Sequence, residues 1–511
     1  MTALNCSTFA FALLTANVFA QPALAPTHSR STNEALLNHQ FAELRNSPPE
    51  LYAFLLRMPK GGDLHNHLAG AVYAERFLEE AAKQSLCIDP RTLSIVGPEG
   101  ENRCASGDVP ATRSLNDNHL FALLIDSLSM RDFVPGSESA HDHFFAAFEK
   151  FSAVAHGHDG ENLADVVRRA AEQNESYLEL MVLTAGSAIT GIANEIGFDG
   201  DFDATRQKLL QRGLEQQAKA IRTRVDEMEK ARVQALACDS EPVSPPCRVA
   251  VRYIFQVLRG SPKESVFAQL LTAFILASSD PRVVAINFVQ PEDSFTSMRD
   301  YHLHMQMVDY AKRLYPGVHI SLHAGELAPG LVPPEGLRFH IREAVQLGHA
   351  ERIGHGVDIM YENEWFETMR LMKERHIDVE INLTSNDQIL GVKGKDHPFP
   401  IYRKYGVPVT ISTDDEGVAR THLTQEYQRA VLTYSLSYAD VKQIVRNSLE
   451  YSFVPGDSFW KDASYGVRAA PCGAGRHTET CEKFIQANEK ARLQADLEDR
   501  FDAFERDRTH W

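Results

Sequence analysis

The chain has 511 residues, 52 Lys+Arg against 69 Asp+Glu, and 43% hydrophobic residues. That apolar content is enough for a large buried core and excludes wholesale disorder. The net charge of −17 argues against a general nucleic-acid binder, because an acidic surface repels phosphate backbones.

The first 29 residues carry no Asp, Glu, Lys or Arg. Residues 9–20 (FAFALLTANVFA) form a short apolar run followed by small residues, with A-x-A-like cleavage sites at 18–20 and 23–25. The run is too short to span a bilayer. It reads as a signal peptide over 1–25, although the basic residues that usually open one are missing. The expectation is an exported protein, periplasmic or secreted, with no membrane span. A helical extension is expected over 26–57 and the main domain over 58–478. A C-terminal helical segment is expected over 479–511.

Cys6 lies in the leader, and the other six cysteines fall in close pairs: Cys87/Cys104, Cys238/Cys247 and Cys472/Cys481. Each pair brackets a segment rich in Gly, Pro, Ser or Asn, which suits disulfides closing surface loops in an oxidising compartment. None has the C-x₂₋₄-C spacing of a metal site. Six unrelated thiols are the alternative.

From residue 61 onward, short apolar or alternating runs recur, each followed by a longer helix-like stretch. They are GGDLHNHL (61–68), YLELMVL (177–183), VAVRYIFQV (249–257), VVAINFV (283–289), VHISLHAGE (318–326), RIGHG (352–356), IDVEINLTSN (377–386) and VPVTISTDD (407–415). Helices are expected at 341–347 and 361–375. Eight strand–helix units in order predict an α/β fold, a (β/α)8 TIM barrel whose functional residues gather at the C-terminal strand ends. A doubly wound sheet is the rival, but no Gly-rich phosphate loop follows the first strand. Insertions are expected after strand 1, including the Cys87–Cys104 loop, and after strand 2, a charged helical segment at 205–237.

His65 and His67 end the first run, and residues two apart on a strand face the same way. In a chain with 21 histidines, an H-x-H motif alone is weak evidence for a metal. His323, with Glu326 just after it, His355, and Asp414-Asp415 also stand at strand ends. An Asp-Asp after a strand is commonly only a helix N-cap. Four such ends in one barrel would nevertheless meet at a single mouth, as a metal site requires.

The segments MPKGGDLHNHLAG, SLHAGE, RIGHG and STDD resemble the signatures of the adenosine/AMP deaminase family of metal-dependent amidohydrolases. The resemblance runs over 58–453, and LTQEY (423–427) and RNSLEYSF (446–453) also fit. The export signal and disulfide-closed insertion are closest in layout to the secreted, growth-factor-related adenosine deaminases. The resemblance implies one Zn2+ per chain, held by His65, His67, His323 and Asp414, plus a water. VVAINFV has no lysine to bridge a second metal. It further implies that His355 takes or holds the water's proton, Asp414 orients the nucleophile, Glu326 protonates the purine at N1, and Asp415 meets N7. Gly70, Gln290, Ser385 and Asn386 fall at expected substrate contacts.

The chain departs from the family pattern at Ala69, where an aspartate is usual. It departs again at Gln290, where a glycine is usual, and at Asn287, where an aspartate is usual. These positions bear on ribose and purine-edge contacts. The expected reaction is therefore hydrolytic deamination of adenosine, with 2′-deoxyadenosine, a modified adenosine or free adenine behind it. AMP is disfavoured because no Arg/Lys cluster stands near the motifs. The rivals are a catalytically silent extracellular binding protein and an amidohydrolase acting on a non-purine amide or ester. The partner expected is a small purine nucleoside rather than a nucleic acid, and a homodimer is left open.

Overall fold

The computed structural model describes residues 32–99, 103–155 and 157–507. The expected leader, its cleavage sites and Cys6 lie outside these residues. Eight parallel strands occur in chain order: β1 (Gly62–His67), β2 (Tyr177–Leu183), β3 (Ala250–Leu258), β4 (Val283–Val289), β5 (His319–Ala324), β6 (Arg352–His355), β7 (Asp378–Ile381) and β8 (Val409–Ile411). Each pairs with the next, and an Asn66–Asp414 bridge joins the end of β8 to β1. The result is a (β/α)8 barrel. The strands are buried on both faces, as a sheet covered by helices requires.

The run at 377–386 is shorter as a strand than the sequence suggested. β7 stops at Ile381, and a helix, Leu383–Leu390, takes over. Ser385 and Asn386 therefore sit in the first turn of a helix instead of on a strand end.

The crossover helices follow the usual physics. In Leu214–Ala235 the buried residues are Leu214, Ala218, Ile221, Val225 and Met228, a three–four spacing that makes one apolar stripe. Tyr438–Glu450 starts with a capping box between Ser437 and Asp440. Helices Thr32–Leu44 and Pro48–Arg57 precede β1, and Glu479–Ala487 and Glu489–Arg506 close the chain.

Two pieces of β structure were not anticipated. A small antiparallel sheet (Cys87–Asp89, Ser94–Val96, Val109–Pro110) lies in the first insertion, and a hairpin (Trp460–Lys461, Ser464–Arg468) follows the barrel. The first insertion builds its own core from Phe77, Leu78, Ile88, Leu124, Phe144 and Phe151. That core also takes in Ile389, Val418 and Ala419, which follow β7 and β8. The insertion thus packs on the C-terminal mouth of the barrel.

The cysteines are bonded in the expected pairs, Cys87–Cys104, Cys238–Cys247 and Cys472–Cys481. Cys238 and Cys247 are only partly buried, as a bond closing a surface loop should be. Cys481 corrects that picture for the third pair. It does not lie in a surface loop but in the first turn of helix Glu479–Ala487, where its amide donates to the N-cap Thr478 Oγ1 at 3.4 Å. Cys472 and Cys481 are both buried, packed with Phe459, Trp460, Ala491 and Ala495. The physical reason is that the hairpin and the closing helices share this small apolar core, and the two sulfurs help to fill it. The bond also crosses the expected boundary at 478/479, so Cys481 ties the C-terminal helices to the segment before them.

Candidate active site

The barrel seam places the first donors. The amide of Asp414 donates to the His65 carbonyl at 2.8 Å, and the amide of His67 donates to the Asp414 carbonyl at 3.1 Å. Asp414 holds a left-handed backbone, φ 62°. Strain of that kind in a residue with a side chain persists only where its surroundings enforce it.

Four donor atoms converge here. His323 Nε2 lies 3.1 Å from His65 Nε2 and 3.3 Å from His67 Nε2. Asp414 Oδ1 lies 3.4 Å from the Nε2 of both His65 and His67. A tetrahedral ion with bonds near 2.0–2.1 Å needs donors about 3.3–3.4 Å apart, and these four separations come close to that, as a metal such as zinc requires. His355 also brings a ring nitrogen within 4.8 Å of the donor atoms of His65, His323 and Asp414, while His67 groups with Asp414 and Asp415.

The other ring nitrogens are committed elsewhere. His65 Nδ1 meets Glu380 Oε2 at 2.6 Å, His67 Nδ1 meets Gln256 Oε1 at 3.1 Å, and His323 Nδ1 meets Asn287 Oδ1 at 2.8 Å. An acceptor on each Nδ1 keeps a proton there and leaves Nε2 as the ring atom that can face a metal. Asn287, expected from the sequence to bear on the purine edge, here holds His323. Its Oδ1 also accepts the His323 amide at 2.9 Å.

Behind His65 runs a buried chain of charge. Glu380 Oε1 accepts from Arg352 Nε at 2.6 Å and Ser321 Oγ at 2.9 Å, and Arg352 Nη2 donates to Glu179 Oε2 at 2.6 Å. Burial opposes ionisation of Glu380, but the Arg352 charge and the His65 bond hold it down at about 2. Burial likewise opposes protonation of His65. The Asp414 and Glu380 carboxylates outweigh it and, with no ion bound, push its pKa up to about 10. The site gathers negative charge that calls for a cation.

Glu326 follows β5 on a turn fixed by Glu292, whose two oxygens accept the amides of Gly325 (3.2 Å) and Glu326 (2.8 Å). Burial, then the charges of Asp414 and Glu292, raise the Glu326 carboxyl well above its ordinary pKa, which keeps it protonated. Asp415 is raised in the same way, by burial and by Asp414. It stands at the N-cap of the short helix Glu416–Ala419 but makes no side-chain cap bond, so the simple N-cap reading does not account for it. Its Oδ1 is buried without a partner.

A 430 Å³ cavity opens above these groups. His67, Ala69, Gln290, His323, Glu326, Asp414 and Asp415 line it from the barrel. Helix Ala140–Ala155 of the insertion adds Phe144, Phe145 and Phe148 as an aromatic wall, with the carboxylate of Glu149 beside them. Asp159 and Arg224 stand at its rim, 3.8 Å apart.

Three expected substrate contacts lie elsewhere. Gly70 is not on the cavity wall, and a Cβ there would fall 1.7 Å from Asp415 Oδ1, so the glycine makes room for that carboxyl. Ser385 Oγ donates to Asp414 Oδ2 at 2.7 Å, and Asn386 Nδ2 meets His355 Nδ1 at 2.9 Å. Both sit behind the site because their strand ends early. Gln290 does reach the mouth, with φ 86° and its Oε1 accepting the Gly260 amide at 2.9 Å. His355 is wholly buried, Nε2 3.8 Å from Asp414 Oδ2, and burial pushes its pKa down to about 3.

Sequence reasoning missed the supporting residues Gln256, Glu292 and His397, and the phenylalanine wall. A glutamine among the apolar residues of 249–257 was a readable signal. The phenylalanines look like ordinary core residues at helical spacing and give none.

Comparison with known proteins decides the family: the adenosine deaminase family model matches residues 138–461. The chain belongs to the adenosine deaminase family. Among curated relatives, an adenosine deaminase of Clostridium perfringens is 36% identical over 138 residues, 27% of this chain and 38% of that one. One of Clostridium acetobutylicum is 31% identical over 172 residues, 34% of this chain and 46% of that one. The chain thus matches under half the length of these relatives. Among solved structures, the N6-mAMP deaminase of Arabidopsis superposes with a TM-score of 0.50 at 22% identity, over 78% of this chain and 95% of that one. Adenine deaminase from Arthrobacter aurescens gives 0.51 at 16% identity, over 86% and 98%. At such identities the structures speak for the barrel fold. His65 and His67 precede the family match, and the fold brings them to it.

Proposed function

We propose that this adenosine deaminase family member removes the 6-amino group of adenosine, or of a close 6-aminopurine relative, by hydrolysis. Water adds at C6, ammonia leaves, and a 6-oxopurine remains. The observation that carries the reading is the convergence of His65, His67, His323 and Asp414 at the base of one cavity, beside the buried carboxyls of Glu326 and Asp415, whose pKa values burial raises.

His65, His67, His323 and Asp414 would hold a Zn2+, which when bound lowers the pKa of water toward neutrality and so supplies a nucleophile. The chain's own residues do the rest. Asp414 Oδ2, held by Ser385, and His355 Nε2 flank the place where the attacking oxygen must sit. Glu326 carries the proton that purine N1 needs as C6 becomes tetrahedral, and its raised pKa suits it to that task. Asp415, protonated and without a partner at Oδ1, offers N7 a hydrogen bond. The phenylalanine wall packs on the ring faces and keeps water out.

The rim favours a nucleoside or base over a nucleotide. Among the described residues, the cavity is lined by Glu149 and Asp159 against one arginine, Arg224, which already faces Asp159. No free cation awaits a phosphate. Ala69 lines the cavity with a methyl group, so the hydrogen bond an aspartate would make there is lost.

We further propose export, supported by the apolar leader and by three disulfides, which persist in oxidising compartments. Among the described residues no helix is long and apolar enough to cross a membrane. Ammonia release from adenosine, 2′-deoxyadenosine, adenine and AMP by zinc-loaded protein tests the substrate reading. Turnover of AMP in preference to the nucleosides would overturn the argument from the rim.

A further inference from the structure

We propose that His397 is a positioning residue that fixes which ring nitrogen of His355 carries the proton. His355 thereby enters the reaction as a hydrogen-bond donor from Nε2. The inference rests on the deaminase reading for its consequence, but the geometry stands without it.

The polarity of a hydrogen-bonded chain follows from any member whose direction is fixed. Here that member is the backbone N–H of Phe399, which can only donate. It donates to His397 Nδ1 at 3.1 Å. Pro398 has no N–H, so Phe399 supplies the first one after His397. A neutral imidazole that accepts at Nδ1 carries its proton on Nε2. Burial, then the charge of Arg429, pushes the pKa of His397 down to about 3, so the ring is neutral.

His397 Nε2 lies 3.0 Å from Asn386 Oδ1 and donates to it. That bond orients the amide, since the oxygen must face His397 and the nitrogen must face the other way. Asn386 Nδ2 therefore donates to His355 Nδ1 at 2.9 Å. Asn382 Nδ2 reaches the same nitrogen at 3.5 Å. Glu326 Oε1, the acid group nearest to it, is 3.6 Å away, beyond hydrogen-bond reach. Nδ1 is thus an acceptor, and in the neutral ring the proton sits on Nε2. That nitrogen is buried, has no partner and faces Asp414 Oδ2 at 3.8 Å. The gap is where the attacking oxygen belongs, and an N–H aimed into it holds that oxygen by donation.

The test reads proton position directly. Zinc-loaded, full-length protein labelled with ¹⁵N-histidine is examined by long-range ¹H–¹⁵N correlation, with His355 assigned by its loss in His355→Gln. The expected wild-type spectrum shows a protonated Nε2 and an unprotonated Nδ1. In His397→Gln the new amide NH₂ still donates to Asn386, so tautomer and turnover survive. In His397→Leu the amide is free to invert, the Nδ1–H form appears, and kcat falls by about 10- to 100-fold with KM unchanged. A role in stability alone would lower Tm without moving the proton. A wild-type proton on Nδ1, or an unchanged tautomer in folded His397→Leu, overturns the proposal. Should His397→Leu not fold, Asn386→Asp decides it: a carboxylate there can only accept from His397 and His355, so the Nδ1–H form of His355 must appear, and a proton that stays on Nε2 overturns the proposal. A wild type that shows the expected tautomer without deaminating would leave this inference standing and sink the deaminase reading.

Discussion

Asp414 and His65 are joined in two ways. The Asp414 amide donates to the His65 carbonyl at 2.8 Å, and Asp414 Oδ1 lies 3.4 Å from His65 Nε2. The bond that closes the barrel therefore also sets the spacing of two candidate metal ligands. A site built on a sheet seam is held by backbone geometry, which is stiffer than loop placement.

Metal uptake should release a proton. The metal-free His65 is pushed up to about 10 and holds a proton on Nε2, whereas His67 and His323 are lowered by burial and hold none. A raised pKa means the proton is bound at every pH below about 10, so a metal must displace it. Affinity should climb with pH through the neutral range, with about one proton released per zinc. Titration calorimetry in buffers of different ionisation enthalpy checks this, and zero proton release would refute it.

Glu326→Gln should keep the metal and the fold yet lower kcat by about 10²–10⁴-fold, because a neutral amide fills the space but cannot pass a proton to N1. The active form is the protonated one, so activity should be present below the raised pKa of Glu326 and fall as pH rises through it. A variant that retains zinc and full turnover would remove Glu326 from the mechanism.

Arg352→Leu should destabilise the protein by about 3–5 kcal/mol. Arg352 bridges Glu179 and Glu380 in the barrel core, and its loss leaves Glu179 without its guanidinium and Glu380 with His65 alone. Urea unfolding measures the change. A loss below about 1 kcal/mol would show that the two acids take up protons and do without their partner.

Gln290→Gly should stabilise by up to about 1 kcal/mol, since φ 86° is a conformation that glycine adopts freely and glutamine does not. The lost bond to the Gly260 amide offsets part of the gain. Thermal unfolding gives the sign. A clear loss of stability would mean that the side-chain bond outweighs the backbone strain.

Much of this was legible in the sequence, because a parallel barrel writes itself as repeated apolar runs, and polar residues at the ends of such runs have little reason to be there except chemistry. His65, His67, His323, Glu326, His355 and Asp414 were found that way. Where β7 ends was not legible. Ile381 and Leu383 look alike in a pattern, yet the chain turns into a helix between them, which moves Ser385 and Asn386 from the cavity to the back of the site. Spacing favoured a Cys472–Cys481 bond, which the structure has, but did not reveal that Cys481 sits on a helix with its sulfur in a core. The Gly-rich stretch between them reads as a loop whichever way its ends face. The aromatic wall was hidden for a different reason. Phe144, Phe145 and Phe148 belong to an insertion, and only tertiary packing decides whether such residues fill a core or line a cavity. His397 was silent because a histidine before a proline reads as a turn, and its value lies wholly in what faces it.

The most direct test is near-UV absorbance of adenosine mixed with zinc-loaded protein. The account predicts a decline toward the inosine spectrum, with ammonia released in equal amount, and loss of both in Glu326→Gln. An unchanged spectrum with zinc bound stoichiometrically, for adenosine, 2′-deoxyadenosine and adenine alike, would contradict it.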